Sequence, residues 1–293
     1  MDVSIIIVNY NTADLIRNCL ESVYLHTKGI SFEVIVSDNS STDGSIELIQ
    51  EQFPEVILIE NESNLGFGAA NNRAVKIAKG KFIFFLNSDT ILLNNAVKYF
   101  FDFWNDNFMK ENIGALGAWL IGKNSEIVHS WGEYPTFNSC KYYFMRLSIS
   151  IFLRKFIIFK RGKERIQKQI DKKKLLEING YVTGADLFLL NNDDAYFDED
   201  YFMYFEETDL QLNHFTKKGK KIFIIPGPEI IHLEGGSDKN LVMKSYDFKK
   251  KSSIYYWESC IKYLKKNGLA SCNELLKFQN KIKRRQGSGF LAK

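Results

Sequence analysis

Cysteine is scarce, and the four present, Cys19, Cys140, Cys260 and Cys272, are scattered without a C-x-x-C pair. That spacing offers neither a disulfide framework nor a structural zinc site, and it fits a reducing, cytoplasmic setting. Long apolar runs are missing: none approaches the ~18–20 residues needed to span a bilayer, so an integral membrane protein is not expected. The start lacks the basic flank and small-residue cleavage pattern of a secretory leader. Met1-Asp2 instead passes straight into Val3-Ser4-Ile5-Ile6-Ile7-Val8, which reads as a first strand. There is no internal repeat, and net charge is small, with 39 Lys+Arg against 35 Asp+Glu giving +4.

What is there is a chain of 293 residues, 45% hydrophobic, which excludes disorder as the default state. One large α/β domain with an appended helical portion suits this length. The small net charge hides a segregation. Lys141 to Lys174 holds 12 Lys/Arg against 2 Asp/Glu, Lys244 to Arg285 holds 12 against 3, and the remainder carries −15. An acidic body with two basic segments suggests a site built of carboxylates and separate surfaces that meet anions.

The first hundred residues alternate strand-like and helix-like patterns. Strands are expected over 3–8, 32–36, 56–59 and 82–86. Helices are expected over 12–26, with Leu15, Cys19, Leu20 and Val23 on one face, over about 44–50 behind an Asp43 N-cap, and over 69–78. Repeated β-α-β units imply a parallel sheet with helices on both faces, and ligands of such sheets sit at the carboxyl ends of the strands. The loops there are polar: Asn9-Tyr10-Asn11-Thr12, Ser37-Asp38-Asn39-Ser40-Ser41, Asn61 to Gly68, and Asn87-Ser88-Asp89-Thr90. Beyond Asp89 the reading is a helix over 94–104, strands over 114–121 and 126–131 forming a hairpin, a basic aromatic helical segment over 141–174, and an apolar stretch over 182–190. A strand-like 201–205 then leads into a helix ending at 218, followed by strands 221–225 and 229–232 and basic helices over 244–266 and 273–285.

Gly66-Phe67-Gly68-Ala69-Ala70-Asn71 nearly spells G-x-G-x-x-G, but Asn71 occupies the last glycine position and the motif follows the third strand, not the first. The loop after the first strand has no glycine, which also argues against a nucleotidyltransferase phosphate loop. Asn87-Ser88-Asp89 puts a carboxylate at the ligand edge, enough for an Mg²⁺ or Mn²⁺ bound mostly through phosphate oxygens and water. Glu206-Glu207-x-Asp209 packs three carboxylates behind the aromatic run 201–205. Acids favour a first helical turn, but those beside aromatics are also desolvated, which raises a pKa toward the range of a general base. His232, ahead of Gly235-Gly236-Ser237, reads as a metal or phosphate ligand.

Together these segments resemble an inverting family 2 glycosyltransferase of the GT-A fold, in particular its bacterial rhamnosyltransferase-like branch. The resemblance is carried by residues 3–11, 36–45, 64–72, 86–89, Gly184-Ala185-Asp186 and Phe205-Glu206-Glu207-Thr208-Asp209-Leu210, and covers roughly residues 1–240. It implies an open, mainly parallel sheet flanked by helices, with a nucleotide-binding half over 1–110 and an acceptor half over 111–240. A basic helical insertion lies at about 137–176, and a basic helical extension at 241–293. It also implies that Asn9, Tyr10, Asn11, Thr12, Asp38, Asn64, Gly66, Arg73, Asn87 and Asp89 bind a nucleoside-diphosphate sugar of UDP or dTDP type. Asp89 and His232 would hold a divalent Mg²⁺ or Mn²⁺. Asp186, Asp209 and Trp131 would meet the donor sugar or the acceptor, and Glu207, with Glu206 beside it, would be the catalytic base. Two departures stand out: the pair is Glu-Glu where the family commonly has Glu-Asp, and the metal motif carries one carboxylate where many relatives have two.

The implied reaction is sugar transfer to a cell-surface glycan or lipid-linked acceptor at the inner face of the cytoplasmic membrane. The alternative is a catalytically weak sugar-nucleotide-binding or membrane-associated scaffold, and nucleic acid is not an expected partner. The basic segment 141–174 reads either as an interfacial membrane element or as core aromatics with a solvated lysine face.

Overall fold

The computed structural model describes residues 1–107, 111–154, 174–233, 248 and 250–286, with the backbone alone over 150–154. Its elements in chain order are β1 (Val3–Asn9), α1 (Ala13–His26), β2 (Phe32–Asp38), α2 (Ser45–Gln52), β3 (Ile57–Glu60), α3 (Phe67–Val75), β4 (Phe82–Asn87), β5 (Thr90–Leu92), α4 (Ala96–Asn107) and β6 (Ile113–Ile121). There follow β7 (Trp131–Glu133), α5 (Phe137–Arg154), β8 (Leu176–Ile178), β9 (Gly180–Val182), β10 (Asp186–Leu190), α6 (Glu206–Leu210), β11 (Lys221–His232), α7 (Lys251–Lys266) and α8 (Cys272–Gln286).

These elements divide into two compact units. The first comprises Met1–Tyr134, Lys172–Phe202 and Glu206–Val242; the second comprises Pro135–Asp171, Met203–Phe205 and Met243–Lys293. The first unit is built on a sheet of order β3-β2-β1-β4-β10-β6-β11-β5, with β8 also on β11. β1 to β4 are mutually parallel, β10 runs against both β4 and β6, and β11 is parallel to β6. The carboxyl ends of β1, β2, β4 and β6 therefore point to one edge, as the β-α-β reading requires. A two-stranded ladder, β7 with β9, stands apart from this sheet.

Successive strand residues face opposite sides, so each strand feeds two apolar layers. Ile5, Ile7, Phe84 and Leu86 join α1 and α4 on one side, while Ile6, Ile83 and Phe85 share the other side with α3 and Leu210 at the end of α6. Phe188 is the hub of the first layer: its ring lies 5.1 Å from Phe82, 5.4 Å from Phe100 and 6.1 Å from Trp104. In the second unit, α5, α7 and α8 share an aromatic cluster in which Trp257 contacts Phe144 and Phe278 at 5.5 and 5.9 Å.

Several elements depart from expectation, each for a local reason. The buried face of α1 is Ile16, Cys19, Leu20 and Val23, with Leu15 at its margin. Gly44, at φ +84°, is the N-cap of α2, and Asp43 is placed one residue earlier, where its carboxylate accepts from Ser45 N–H and, at 2.8 Å, from Ala13 N–H at the head of α1. The hairpin after β6 closes through Gly122 N–H to Glu126 O, but its return arm makes only an Ile121–Ile127 bridge before β7 pairs with β9 instead. The run 201–205 is not a strand: Tyr204 and Phe205 adopt φ +71° and +70°, left-handed values costly for aromatics. The helix from Glu206 loosens after one turn into a π-helical turn over Gln211–Phe215 and a 3₁₀ turn over Thr216–Lys218. The strands expected over 221–225 and 229–232 form one continuous β11, irregular between Ile225 and Ile230.

In the basic aromatic segment, Cys140, Phe144 and Leu147 are buried, whereas Tyr142, Met145 and Ile149 are exposed. Core packing thus accounts for the buried face of this helix, and its other face is open. Its remainder over 155–173, and the Gly235-Gly236 loop after His232, lie outside the described residues.

Candidate active site

The register of the parallel strands aligns the polar loops: Asn9 pairs with Asp38, Asp38 with Glu60, and Val8 with Asn87. Asp38 is fully buried. Its carboxylate accepts from Asn9 Nδ2 at 2.7 Å and from both the N–H and the hydroxyl of Ser41 at 2.7 Å. Thr12 donates to Asn9 Oδ1 at 2.5 Å, and Asn11, at φ +54°, accepts from Thr42 N–H at 2.8 Å. This network locks the first two loops together, and Tyr10 is left exposed at the edge. Of the residues expected to meet the donor, Asp38, Asn9 and Thr12 are turned inward as the frame of the loops.

Asn39 ties in the third loop, donating to Gly66 O at 3.1 Å while its own Oδ1 accepts from Asn61 at 3.1 Å; Asn64 Oδ1 accepts from Gly66 N–H at 2.9 Å. Gly66 has a packing reason for its identity. At φ +87°, a Cβ there would stand 2.1 Å from Phe202 O, which accepts from Phe67 N–H at 3.0 Å. The near-miss dinucleotide motif is thus a close backbone approach. Arg73 stands exposed on α3, away from that loop's hydrogen bonds.

The fourth loop gains its partner from the far end of the domain. Antiparallel pairing of β5 with β11 sets His232 opposite Thr90, and Asp89 O accepts from Leu233 N–H at 3.0 Å. His232 Nε2 then lies 3.3 Å from Asp89 Oδ1, although 143 residues separate them. The two offer one carboxylate oxygen and one imidazole nitrogen to a cation. Among the described residues there is no group of three or more His, Cys, Asp or Glu that could hold a metal ion.

β10 starts beside this loop, with Asn87 N–H donating to Ala185 O at 3.1 Å. Asp186 is fully buried, one oxygen accepting from Ala118 N–H at 2.6 Å, the other without a partner among the described residues. Burial raises its pKa from 3.8 to about 7, against the opposing effects of that hydrogen bond and the nearby His232.

The acid pair opens α6 beside two glycines. A Cβ on Gly184 would be 3.1 Å from the Phe67 ring and 3.9 Å from Glu207 Cβ, and one on Gly68 would be 3.7 Å from Glu206 Cβ. Gln211 pins α6 to β9, exchanging hydrogen bonds of 2.9 and 2.8 Å with Val182 N–H and O while donating to Glu207 O at 3.1 Å. Glu206 is buried, whereas Glu207 keeps part of its surface open. Burial of the Glu207 carboxyl nevertheless raises its pKa from 4.5 to about 7, and backbone N–H groups at the helix start oppose that rise. Asp209 points inward, accepting from Asn213 at 3.0 Å and Tyr201 OH at 3.3 Å. Trp131 is half-buried beside Val182 in the β7–β9 ladder. Gln211, and the bond by which Asp43 ties α2 to the head of α1, escaped the sequence reading because both arise only when segments distant in sequence meet.

A mainly parallel sheet with polar loops at one edge, an acidic residue closing β4 and an acid pair opening a helix beside it is the GT-A class of architecture. The model of the family described as "Glycosyl transferase family 2" matches residues 4–163, and the chain belongs to that family. It is 36% identical over 121 residues to a poly(ribitol-phosphate) beta-glucosyltransferase of Bacillus spizizenii, covering 40% of this chain and 19% of that protein. It is 38% identical over 102 residues to the Escherichia coli UDP-Glc:alpha-D-GlcNAc-diphosphoundecaprenol beta-1,3-glucosyltransferase WfaP, covering 33% and 40%. These matches span a fifth and two fifths of those relatives' lengths. The fold is shared with mannosyltransferase PcManGT from Pyrobaculum calidifontis, solved with GDP-Man and Mn²⁺, at a TM-score of 0.53 and 16% identity over 92% of this chain and 64% of that one.

Proposed function

We propose that this chain is the catalytic domain of an inverting glycosyltransferase, moving a hexosyl or deoxyhexosyl group from a nucleoside-diphosphate donor to a hydroxyl of a growing cell-surface glycan or lipid-linked acceptor. One observation carries the reading: Glu207, its pKa raised to about 7, approaches Gly184 on the loop that leads into β10 beside Asn87 and Asp89. A base poised near neutral pH and an anion-binding edge are what attack by a hydroxyl with departure of a diphosphate needs.

In this mechanism the loops after β1, β2 and β3 hold the nucleoside. Glu207 takes the proton from the acceptor hydroxyl, whose oxygen attacks the anomeric carbon opposite the diphosphate, so the configuration inverts. Glu206, buried beside it, orients the helix start. Asp89 and His232 would hold a Mg²⁺ or Mn²⁺: the pair suits a cation completed by phosphate oxygens and water. Such an ion, when bound, neutralises charge that grows on the leaving diphosphate. The relatives' names, a UDP-glucose and undecaprenol-diphosphate enzyme and a polyol-phosphate polymer enzyme, support a UDP-type donor and a lipid-linked or polymeric acceptor. Among the described residues no helix is long and apolar enough to cross a membrane. The exposed Tyr142, Met145 and Ile149 on α5, flanked by Lys141 and Arg146, support a surface contact with the bilayer.

The test is Glu207→Gln, assayed for transfer from UDP-glucose and, separately, for UDP-glucose binding with Mn²⁺. Transfer is expected to be lost with binding kept. Near-normal turnover would sink the base assignment.

A further inference from the structure

We propose that Trp119 and Thr183 form the hydroxyl-recognising part of the acceptor subsite, taking a sugar ring or polyol beside Glu207; this deepens the reading above and rests on Glu207 as the base. Both side chains are about nine-tenths buried, and among the described residues neither the Trp119 Nε1–H nor the Thr183 Oγ1 has a hydrogen-bond partner. Buried polar groups in folded proteins are nearly always paired, and two orphans in one neighbourhood call for an explanation.

Their neighbourhood is shared through one serine. Thr183 N–H donates to Ser130 O at 3.2 Å, while the Ser130 hydroxyl accepts from the N–H of Leu120, the residue after Trp119, at 2.8 Å. Trp131, next after Ser130, pairs with Val182, the residue before Thr183. Alternation along β6 puts Trp119 on the same face as Gly117. A Cβ on Gly117 would stand 2.3 Å from Val182 Cγ1, so β9 lies directly on that face. Trp119, Val182 and Trp131 belong to one apolar cluster. Thr183 in turn immediately precedes Gly184, the point of approach to Glu207. The orphans thus lie next to the base, towards the carboxyl end of β6.

The chemistry selects the ligand class. An indole N–H only donates, while a threonine hydroxyl donates and accepts. That pairing suits ligand hydroxyls and brings no positive charge to a phosphate. Trp131 adds an aromatic side chain for the C–H face of a sugar. The arrangement predicts a ring or polyol held by neutral hydrogen bonds, with one of its hydroxyls passed to Glu207.

The test uses Thr183→Val, which replaces the hydroxyl by a methyl group with little change of shape, and Trp119→Phe, which removes the indole N–H together with part of the ring. The probes are methyl β-glucopyranoside and glucitol, titrated by ligand-observed NMR against the full chain saturated with UDP and Mn²⁺. Wild type is expected to bind at least one probe and each variant to bind it about tenfold more weakly, about 1.4 kcal/mol, with UDP affinity kept in both and the melting temperature kept in Thr183→Val. Unchanged probe affinity in both variants, no probe binding by wild type, or a loss of affinity in Thr183→Val matched by a lower melting temperature would each overturn the subsite. Glu207→Gln separates the two readings. Probe binding kept while transfer is lost supports both; probe binding that depends on Trp119 and Thr183 with transfer intact in Glu207→Gln removes the base and leaves the subsite.

Discussion

The raised pKa of Glu207 makes a quantitative demand on the pH dependence of transfer. With an ordinary glutamate near 4.5, about three quarters of the base would be ionised at pH 5, and activity would be nearly flat from there upward. With the value of about 7 set by burial at the start of α6, only about one hundredth is ionised at pH 5. The acceptor kcat/KM measured under saturating UDP-sugar and Mn²⁺ should therefore rise roughly tenfold per pH unit to a plateau above pH 7. Asp186 has a similarly raised pKa, so the limb needs an assignment. Asp186 is fully enclosed between β4, β10 and β6 and holds the Ala118 N–H, so Asp186→Asn should leave the midpoint in place. Glu207→Asp, which shortens the side chain by one methylene, should lower the plateau and move the midpoint. A midpoint below about pH 5.5 in wild type, or a limb that disappears in Asp186→Asn and survives in Glu207→Asp, would refute the assignment of the base.

Asp186 itself predicts a stability effect. A carboxyl whose folded pKa rises from 3.8 to about 7 binds more protons folded than unfolded, so its contribution is intact at low pH and is lost as pH rises from about 4 through 7. Denaturant melts of wild type should lose up to about 4 kcal/mol by pH 8 from this group, a loss that Asp186→Asn should lack. Phe188→Ala removes the hub ring of the first apolar layer and should cost about 3–5 kcal/mol in urea unfolding at any pH. Asp89→Ala should abolish the Mn²⁺-dependent part of the thermal stabilisation by UDP and leave the protein folded, because Asp89, though buried, sits in the turn between β4 and β5 and belongs to neither apolar layer.

The alternating half of the fold was legible because each parallel strand over 1–90 is a short apolar run closed by a polar loop, and the helices between them carry one buried face. Its boundaries fell within a few residues, and the polar loops came to one edge as parallel pairing demands. Less legible were features in which the backbone answers to a partner elsewhere. Tyr201 to Phe205 reads as a strand by composition, yet Ser259 of α7 donates to Met203 O at 2.8 Å, and the rings of Tyr204 and Phe205 meet Tyr256 at 5.8 and 5.3 Å. Tertiary packing there sustains left-handed values that no local propensity favours.

The candidate site divides along the same line. Residue type and position marked Asp89, Glu207 and His232, but spacing alone gave no reason for His232 to meet Asp89. That follows from β11 being one continuous strand: with its parallel partner β6 fixed along the first part and β5 pairing at its end, His232 has to arrive opposite Thr90. For Asp38 the sequence named the position, and the fold encloses its side chain. A carboxylate that closes a buried strand needs hydrogen-bond donors, and Asn9 and Ser41 supply them from within the fold. Asp38 thereby sets the shape of the loops, and Tyr10 and Asn11 are left exposed, which under the proposed function makes them the residues to meet the donor. If that division is right, Asp38→Asn should disturb folding and donor binding together, whereas Tyr10→Ala should weaken UDP binding with the melting temperature of the unliganded protein unchanged.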